Sequence, residues 1–290
     1  MDGLFLSADT VRVPAAEPYL FGETTHMNFK DYSALQFSRE GKILTVTINR
    51  PEVKNAINAT LHEEFARVFT DIDMDDQTDV VILTGAGKAF CAGGDLDWLL
   101  SMHGDPVRTA AGIRNDRRVQ NSMLDLEKPI IAKLRGPAIG LGCSLALFCD
   151  FVYATPDAVL ADPHVSVGLV AGDGGAVLWP QLIGYMRAKS YLLTGDKITG
   201  TDAAQLGLIT KAVPEEELDA VVQAMATRLV NGATHSIKWT KASINAGLKV
   251  IANSIIDRAA AYENVTQLLQ DHKIALEAFQ KREAPKFIGG

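Results

Sequence analysis

The chain has 290 residues, of which 47% are hydrophobic and 22% charged, and its formal net charge is −7. That is enough apolar material for one large domain with an appendage, or for two domains. The negative balance excludes a general nucleic-acid surface, and no apolar run reaches the roughly 18 residues of a membrane-spanning helix.

Residues 1–30, with Pro14, Pro18 and Gly22, read as an irregular N-terminal extension. Residues 43–49 alternate cleanly: Leu44, Val46 and Ile48 share one face and Thr45, Thr47 and Asn49 the other, the pattern of a half-buried strand that Arg50-Pro51 ends. Leu61, Phe65, Val68, Phe69 and Ile72 follow at helical spacing. Buried strands are predicted at 79–84 and 130–134, and short ones at 151–154 and 158–161. A helix starts at Asp95, a polar helical stretch runs to Leu126, and an apolar helix covers 143–149. Residues 168–175 hold four glycines, a tight loop that lets backbone approach a ligand. Beyond Arg187 the pattern is helical except at 208–213, with helices predicted at 214–231, 235–247 and 252–282. A strand, glycine loop and helix recur about every 45–50 residues, which points to a repetitive β/α core followed by helices.

Two stretches stand out, Phe90-Cys91-Ala92-Gly93-Gly94-Asp95-Leu96 and residues 140–150. Both run from an apolar strand through glycines into a helix, and so present free backbone N–H groups. Two such groups aimed at one point would form an oxyanion hole.

At these residues the chain resembles the crotonase, or enoyl-CoA hydratase/isomerase, superfamily. The matching motifs are Ile48-Asn49-Arg50-Pro51 with Asn55-Ala56-Ile57, residues 88–96 and 136–150, Gly168-Leu169 with Gly174-Gly175, Leu193-Thr194-Gly195 with Gly207-Leu208, and Phe279-Gln280-Lys281-Arg282. The resemblance implies an α/β fold, a spiral core of repeated ββα turns over 31–213, followed by a helical trimerisation region over 214–290. It also implies a homotrimer or dimer of trimers and an acyl-CoA thioester ligand, with coenzyme A carried as part of the substrate and no separate cofactor or metal. The thioester oxygen, as it becomes an enolate, would be held by the N–H groups of Gly94 and Leu141. Ala56 and Ala92 would contact the adenine end of CoA, and Arg282, with Phe279 nearby, would offer a basic side chain. Lys54 and Lys88 are weaker phosphate candidates that read equally well as surface lysines. Trp98, Leu99 and Met102 line the acyl pocket or form a plain core stripe.

The family's hydratases carry two glutamates that activate water, and here Ser144 and His164 stand in their places. His164, after Asp162-Pro163, can act as a base near neutral pH or sit as a hydrogen-bonded core histidine. Ser144 is either a pocket hydroxyl or a filler near a helix start, and Asp162 reads as a turn residue. Asp173 is a third candidate, one position after Gly172, where several isomerases and a dehalogenase of the family place an acid. It is either that acid or the cap of the helix beginning near Gly174.

The three cysteines, Cys91, Cys143 and Cys149, lack metal-ligand spacing and read as packing in a reducing compartment, and no basic-then-apolar leader opens the chain, so the cytoplasm is expected. His26, His62, His103, His235 and His272 are scattered, which argues against a metal centre. Gly85-Ala86-Gly87-Lys88 lacks the spacing of a phosphate loop, and no dinucleotide fingerprint follows a first strand. Hydration or dehydration of a 2-enoyl-CoA is the expected reaction. Double-bond isomerisation or another chemistry of the superfamily is the alternative, and a non-catalytic acyl-CoA-binding protein is the reading from another class.

Overall fold

The computed structural model describes residues 27–290, so most of the extension predicted over 1–30, with His26, lies outside the described residues. A short 3-10 helix, Phe29–Asp31, leads into β1 (Leu35–Glu40) and β2 (Ile43–Ile48), which pair antiparallel with Leu35 opposite Ile48. The sequence reading assigned no strand at β1. It is an edge strand with only Leu35 buried, so its alternation is weak.

The chain then winds through α1 (Ala59–Met74), β3 (Val80–Gly85), α2 (Leu96–Met102), α3 (Pro106–Asp125) and β4 (Ile130–Leu134). Next come β5 (Ala138–Ile139), α4 (Leu141–Leu147), β6 (Phe151–Ala154), β7 (Val159–Ala161), α5 (Gly175–Ile183) and α6 (Tyr185–Thr194). The rest comprises β8 (Ile198–Thr199), α7 (Gly200–Leu206), β9 (Lys211–Ala212), α8 (Glu215–Val230), α9 (Thr234–Gln267) and α10 (Gln270–Lys281). Strands β2, β3, β4, β6 and β9 lie parallel in chain order in one sheet, and β5, β7 and β8 form a second. The units β4–β5–α4 and β6–β7–α5 each place one strand in each sheet before a helix, which is the expected spiral of ββα turns.

The apolar spacing explains the packing. Leu44, Val46 and Ile48 of β2 face Leu61, Phe65, Val68, Phe69 and Ile72 of α1, and all are fully buried. Each such side chain contributes about 1.5–3 kcal/mol relative to exposure. The other face of the sheet, Ile43, Val80, Ile82 and Ile131, is covered by Leu218, Val222 and Ala226 of α8, so the first helix of the region expected over 214–290 packs on the sheet.

The break predicted between helices at 247 and 252 is absent, since α9 runs unbroken from Thr234 to Gln267. Gly247 is tolerated there because Leu248, Ala252, Ile255 and Ile256 continue an apolar stripe into the core, which outweighs its cost of about 1 kcal/mol. Lys241 ties α9 to the core through Asp150 at 2.8 Å and the Lys128 carbonyl at 2.9 Å. No helix among the described residues is long and apolar enough to cross a membrane.

Candidate active site

Arg50 and Asn55 fasten the loop after β3. The Asn55 amide donates to the carbonyls of Ala86 and Ala89 at 2.9 and 2.7 Å and accepts from the Arg50 N–H at 2.9 Å. The Arg50 guanidinium bonds the Ala56 carbonyl and pairs with Asp95 at 3.3 Å, and Asp95 caps α2. Ile57 donates to the Gly93 carbonyl and accepts from the Asp95 N–H, a pairing that passes over the Gly94 N–H.

The second loop lies alongside. Ile139 donates to the Cys91 carbonyl and Gly140 to that of Ala161, both at 2.9 Å. Leu141 is the first residue of α4, and a first-turn N–H has no acceptor within its own helix. The two loops touch so closely at Gly142 that a Cβ there would fall 2.6 Å from Cys91 Cβ. Gly94 and Leu141 line one cavity of about 220 Å³, together with Ala92, His164, Asp173 and Phe279.

His164 sits on a 3-10 turn, His164–Val167, after β7. Its Nδ1 is hydrogen-bonded to Asp162, and its Nε2 lies 3.2 Å from Asp173 Oδ2. Asp173 also accepts from Ser144 Oγ at 2.9 Å and from the Gly175 N–H at the start of α5. Burial opposes the charged form of both partners. The Asp173 and Asp162 carboxylates nevertheless hold the His164 imidazole well above its ordinary range. The His164 charge, with hydrogen bonds from His164, Ser144 and Gly175, likewise keeps Asp173 below the usual carboxylate value. Each charge therefore favours the other, an imidazolium beside an ionised carboxylate.

The loop carrying Asp173 is pinned from outside. Gln120 of α3 donates to the Gly172 carbonyl at 3.2 Å, Val170 N–H donates to Thr266 Oγ1 at 3.3 Å, and the His272 ring bonds the Val167 carbonyl at 2.7 Å.

A further polar group closes the cavity beyond Trp98. His62 Nε2 pairs with Asp116 at 2.6 Å, with the His62 ring 5.0 Å from that of Trp98. Burial opposes the charge on His62, and Asp116 outweighs it, so the ring titrates above its ordinary value. Glu263 of α9 and Gln267 line the same cavity, and burial with the Asp116 charge pushes the Glu263 carboxyl well up.

The structure thus gathers Gly94, Leu141, His164, Asp173, Ala92 and Phe279, with Trp98, Leu99 and Met102, around one cavity. Ser144 lies behind the wall, fully buried, and holds Asp173 rather than facing the cavity. Asp162 is not the plain turn residue expected: it orients the imidazole, because two residues after it the chain turns back into the 3-10 helix. Asp173 lies 3.2 Å from His164 and also accepts from the N–H that opens α5.

Ala56 has both backbone groups engaged, with Val53 and Arg50, and Ala92 donates to the Lys54 carbonyl. Arg282 ends α10 in a left-handed conformation, outside the cavity lining. The cysteines are buried and free, and burial pushes the Cys91 thiol up to about 12, so none is poised as a nucleophile.

His62, Asp116 and Glu263 were missed. They come from α1, α3 and α9, and no local motif joins residues so far apart in sequence. Asp162, His164 and Asp173 offer ligand atoms within 4.8 Å of one another, but both ring nitrogens are already committed to the carboxylates, so a cation would have to displace those bonds.

Residues 38–290 match the protein family described as enoyl-CoA hydratase/isomerase. A short-chain-enoyl-CoA hydratase of Clostridium acetobutylicum is 34% identical over 255 residues, which span 86% of this chain and 95% of the relative. Among solved structures, an enoyl-CoA hydratase/isomerase from Mycobacterium paratuberculosis has a TM-score of 0.82 at 34% identity, over 85% of this chain and 99% of that one. A β-diketone hydrolase from the cyanobacterium Anabaena, bound to (S)-3-oxocyclohexyl acetic acid, has a TM-score of 0.77 at 30% identity, over 82% and 96% of the two chains.

Proposed function

The chain belongs to the enoyl-CoA hydratase/isomerase family, and from that premise we propose that it hydrates a 2-enoyl-CoA thioester, with His164 and Asp173 moving the protons. The observation that carries this reading is the His164–Asp173 pair, 3.2 Å apart, facing the cavity that Gly94 and Leu141 also line.

The thioester oxygen accepts from the Gly94 and Leu141 N–H groups as charge develops on it. One such donor is worth about 2.7–4 kcal/mol of transition-state stabilisation. Asp173, ionised, takes a proton from the attacking water as its oxygen bonds the β-carbon. The His164 imidazolium gives its Nε2 proton to the α-carbon, and Asp173 then returns a proton to His164 across the gap between them, so the enzyme ends as it began. The CoA portion runs out past Ala92 and Phe279, with Ala56 and Arg282 at its far end.

His164→Gln and Asp173→Asn test the reading. Each is expected to lower the hydration rate of crotonyl-CoA by about 10²–10⁴-fold. Full turnover in either variant overturns it.

A second reading is favoured by the bond between Asp162 and His164 Nδ1. In hydrolytic triads a buried carboxylate orients the histidine in the same way; here Asp173 takes the proton of the attacking water and the imidazolium that Asp162 orients holds Asp173 in place. The likeness to the β-diketone hydrolase supports it. In that reaction water adds to the 3-oxo carbon of a β-dicarbonyl substrate and the bond between the carbonyls breaks. The electron pair passes to the enolate held at Gly94 and Leu141, and the freed carbon takes the proton. Release of a carboxylic acid and acetyl-CoA from a 3-oxoacyl-CoA marks this chemistry, whereas a hydratase leaves that substrate intact.

A further inference from the structure

Glu263 is 5% exposed, and one of its carboxyl oxygens, Oε2, has no hydrogen-bond partner. The side chain fits only because residue 172 is glycine: a Cβ there would lie 2.2 Å from Glu263 Oε2 and 3.1 Å from the Ala259 carbonyl. The chain thus leaves a cradle in the Asp173 loop and fills it from α9 with a carboxyl that lines the cavity. An unpaired buried polar atom costs about 1–3 kcal/mol, and an apolar acyl chain against it would leave that cost standing.

The chemistry of the orphaned atom is fixed by its neighbours. Burial, with the charge of Asp116, favours the neutral acid at Glu263. The Gln267 amide donates to Oε1 at 3.4 Å, which leaves Oε2 as the oxygen free to carry the proton of the neutral acid. A proton on Oε2 would have nothing in the protein to donate to, and Gln267 Oε1 is likewise unpartnered.

We propose that Glu263 Oε2 donates a hydrogen bond to a second oxygen on the acyl group, so that the substrate is an oxygenated acyl-CoA, oxo or hydroxy, rather than a plain alkyl thioester. This rests on the acyl-CoA reading above, and it holds for either reaction considered there. Trp98 and the His62–Asp116 pair complete the polar end of the cavity that receives that oxygen.

Calorimetric titration with pentanoyl-CoA, 3-oxopentanoyl-CoA and 4-oxopentanoyl-CoA tests the assignment. The wild-type protein is expected to bind one oxo thioester about tenfold or more tighter than pentanoyl-CoA. Glu263→Leu erases that preference, and Gly172→Ala, which displaces the carboxyl without removing it, weakens it. Glu263→Gln, which keeps a donor, retains part of it. Glu263→Leu is also expected to unfold at a higher temperature than wild type, because an unpaired buried polar group is replaced by an apolar one, so loss of preference cannot be put down to misfolding. Equal binding of all three thioesters to the wild-type protein, or an undiminished preference in Glu263→Leu, overturns the inference alone. No binding of any of the three overturns the acyl-CoA reading and the inference with it.

Discussion

Ser144 Oγ donates to Asp173 Oδ1 across 2.9 Å, with both residues buried. Ser144 reads from the sequence as a pocket hydroxyl or a filler, and its hydroxyl meets Asp173 behind the cavity wall rather than the cavity itself. It is one of three groups that keep the Asp173 carboxylate ionised. Ser144→Ala removes a hydrogen bond to a charged group, worth about 1.5–3 kcal/mol. A roughly tenfold or larger fall in kcat with KM little changed is expected, and the acid limb of the kcat profile should move to higher pH because Asp173 protonates more readily. Steady-state kinetics from pH 4 to 9 read both effects, and an unmoved acid limb would show that the hydroxyl only fills space.

The His164–Asp173 pair also links stability to pH. The imidazole titrates well above its ordinary 6.5 in the folded chain, so its contribution is complete below 6.5 and fades as pH rises through the folded value. Asp173 titrates below its ordinary 3.8, so its contribution is complete above 3.8 and fades as pH falls through the folded value. The pair therefore supports the fold fully between those two ordinary values and loses ground beyond them, His164 on the alkaline side and Asp173 on the acid side. Calorimetric Tm values for wild type and His164→Gln should differ most between pH 4 and 6.5 and converge towards alkaline pH. A difference that grows with pH would contradict the charge assignment.

What the sequence made legible was local. Leu44, Val46 and Ile48 carry a period of two and Leu61, Phe65 and Val68 a helical period, so β2 and α1 could be placed by pattern alone. Gly94 and Leu141 lie in strand-to-helix loops whose backbone groups the pattern exposes. The polar end of the cavity was not legible: His62, Asp116 and Glu263 are polar residues on amphipathic helices, where the pattern assigns such residues to solvent. Only the packing of α3 against both α1 and α9 brings them together. Asp162 was misjudged because a residue before proline reads as a turn, which says nothing about where its carboxylate ends.

Asn55 is fully buried, in a left-handed conformation at φ 59°, and makes three hydrogen bonds that hold the first loop. Asn55→Ala leaves those partners unsatisfied and puts alanine at a left-handed position that asparagine tolerates better. A loss of about 3 kcal/mol is expected, lowering Tm by about 5–10 °C, together with reduced kcat as the Gly94 N–H shifts. Asn55→Gly relieves the backbone and not the bonds, so its Tm should fall between the two. An Asn55→Ala protein with wild-type kcat would mean that the loop holds its shape without these bonds.

The outer surface of α6 and α9 leaves large apolar side chains in solvent. Met186 is 83% exposed, and Ile244 and Trp239 are 69% and 60% exposed. Trp239 and Ile244 share one shallow hollow with Ser236, Thr240 and Ser243. Such clusters on a folded chain mark surfaces that another protein covers, and the trimer or dimer of trimers that the resemblance implies would cover this one with copies of the same chain. Sedimentation equilibrium is expected to give three times the chain mass, or six. Ile244→Asp puts a charge into that contact and should shift the protein to the monomer mass with its far-ultraviolet circular dichroism unchanged. If the variant still sediments as wild type does, this part of α9 lies outside the interface, and Met186→Asp on α6 becomes the substitution that has to break it.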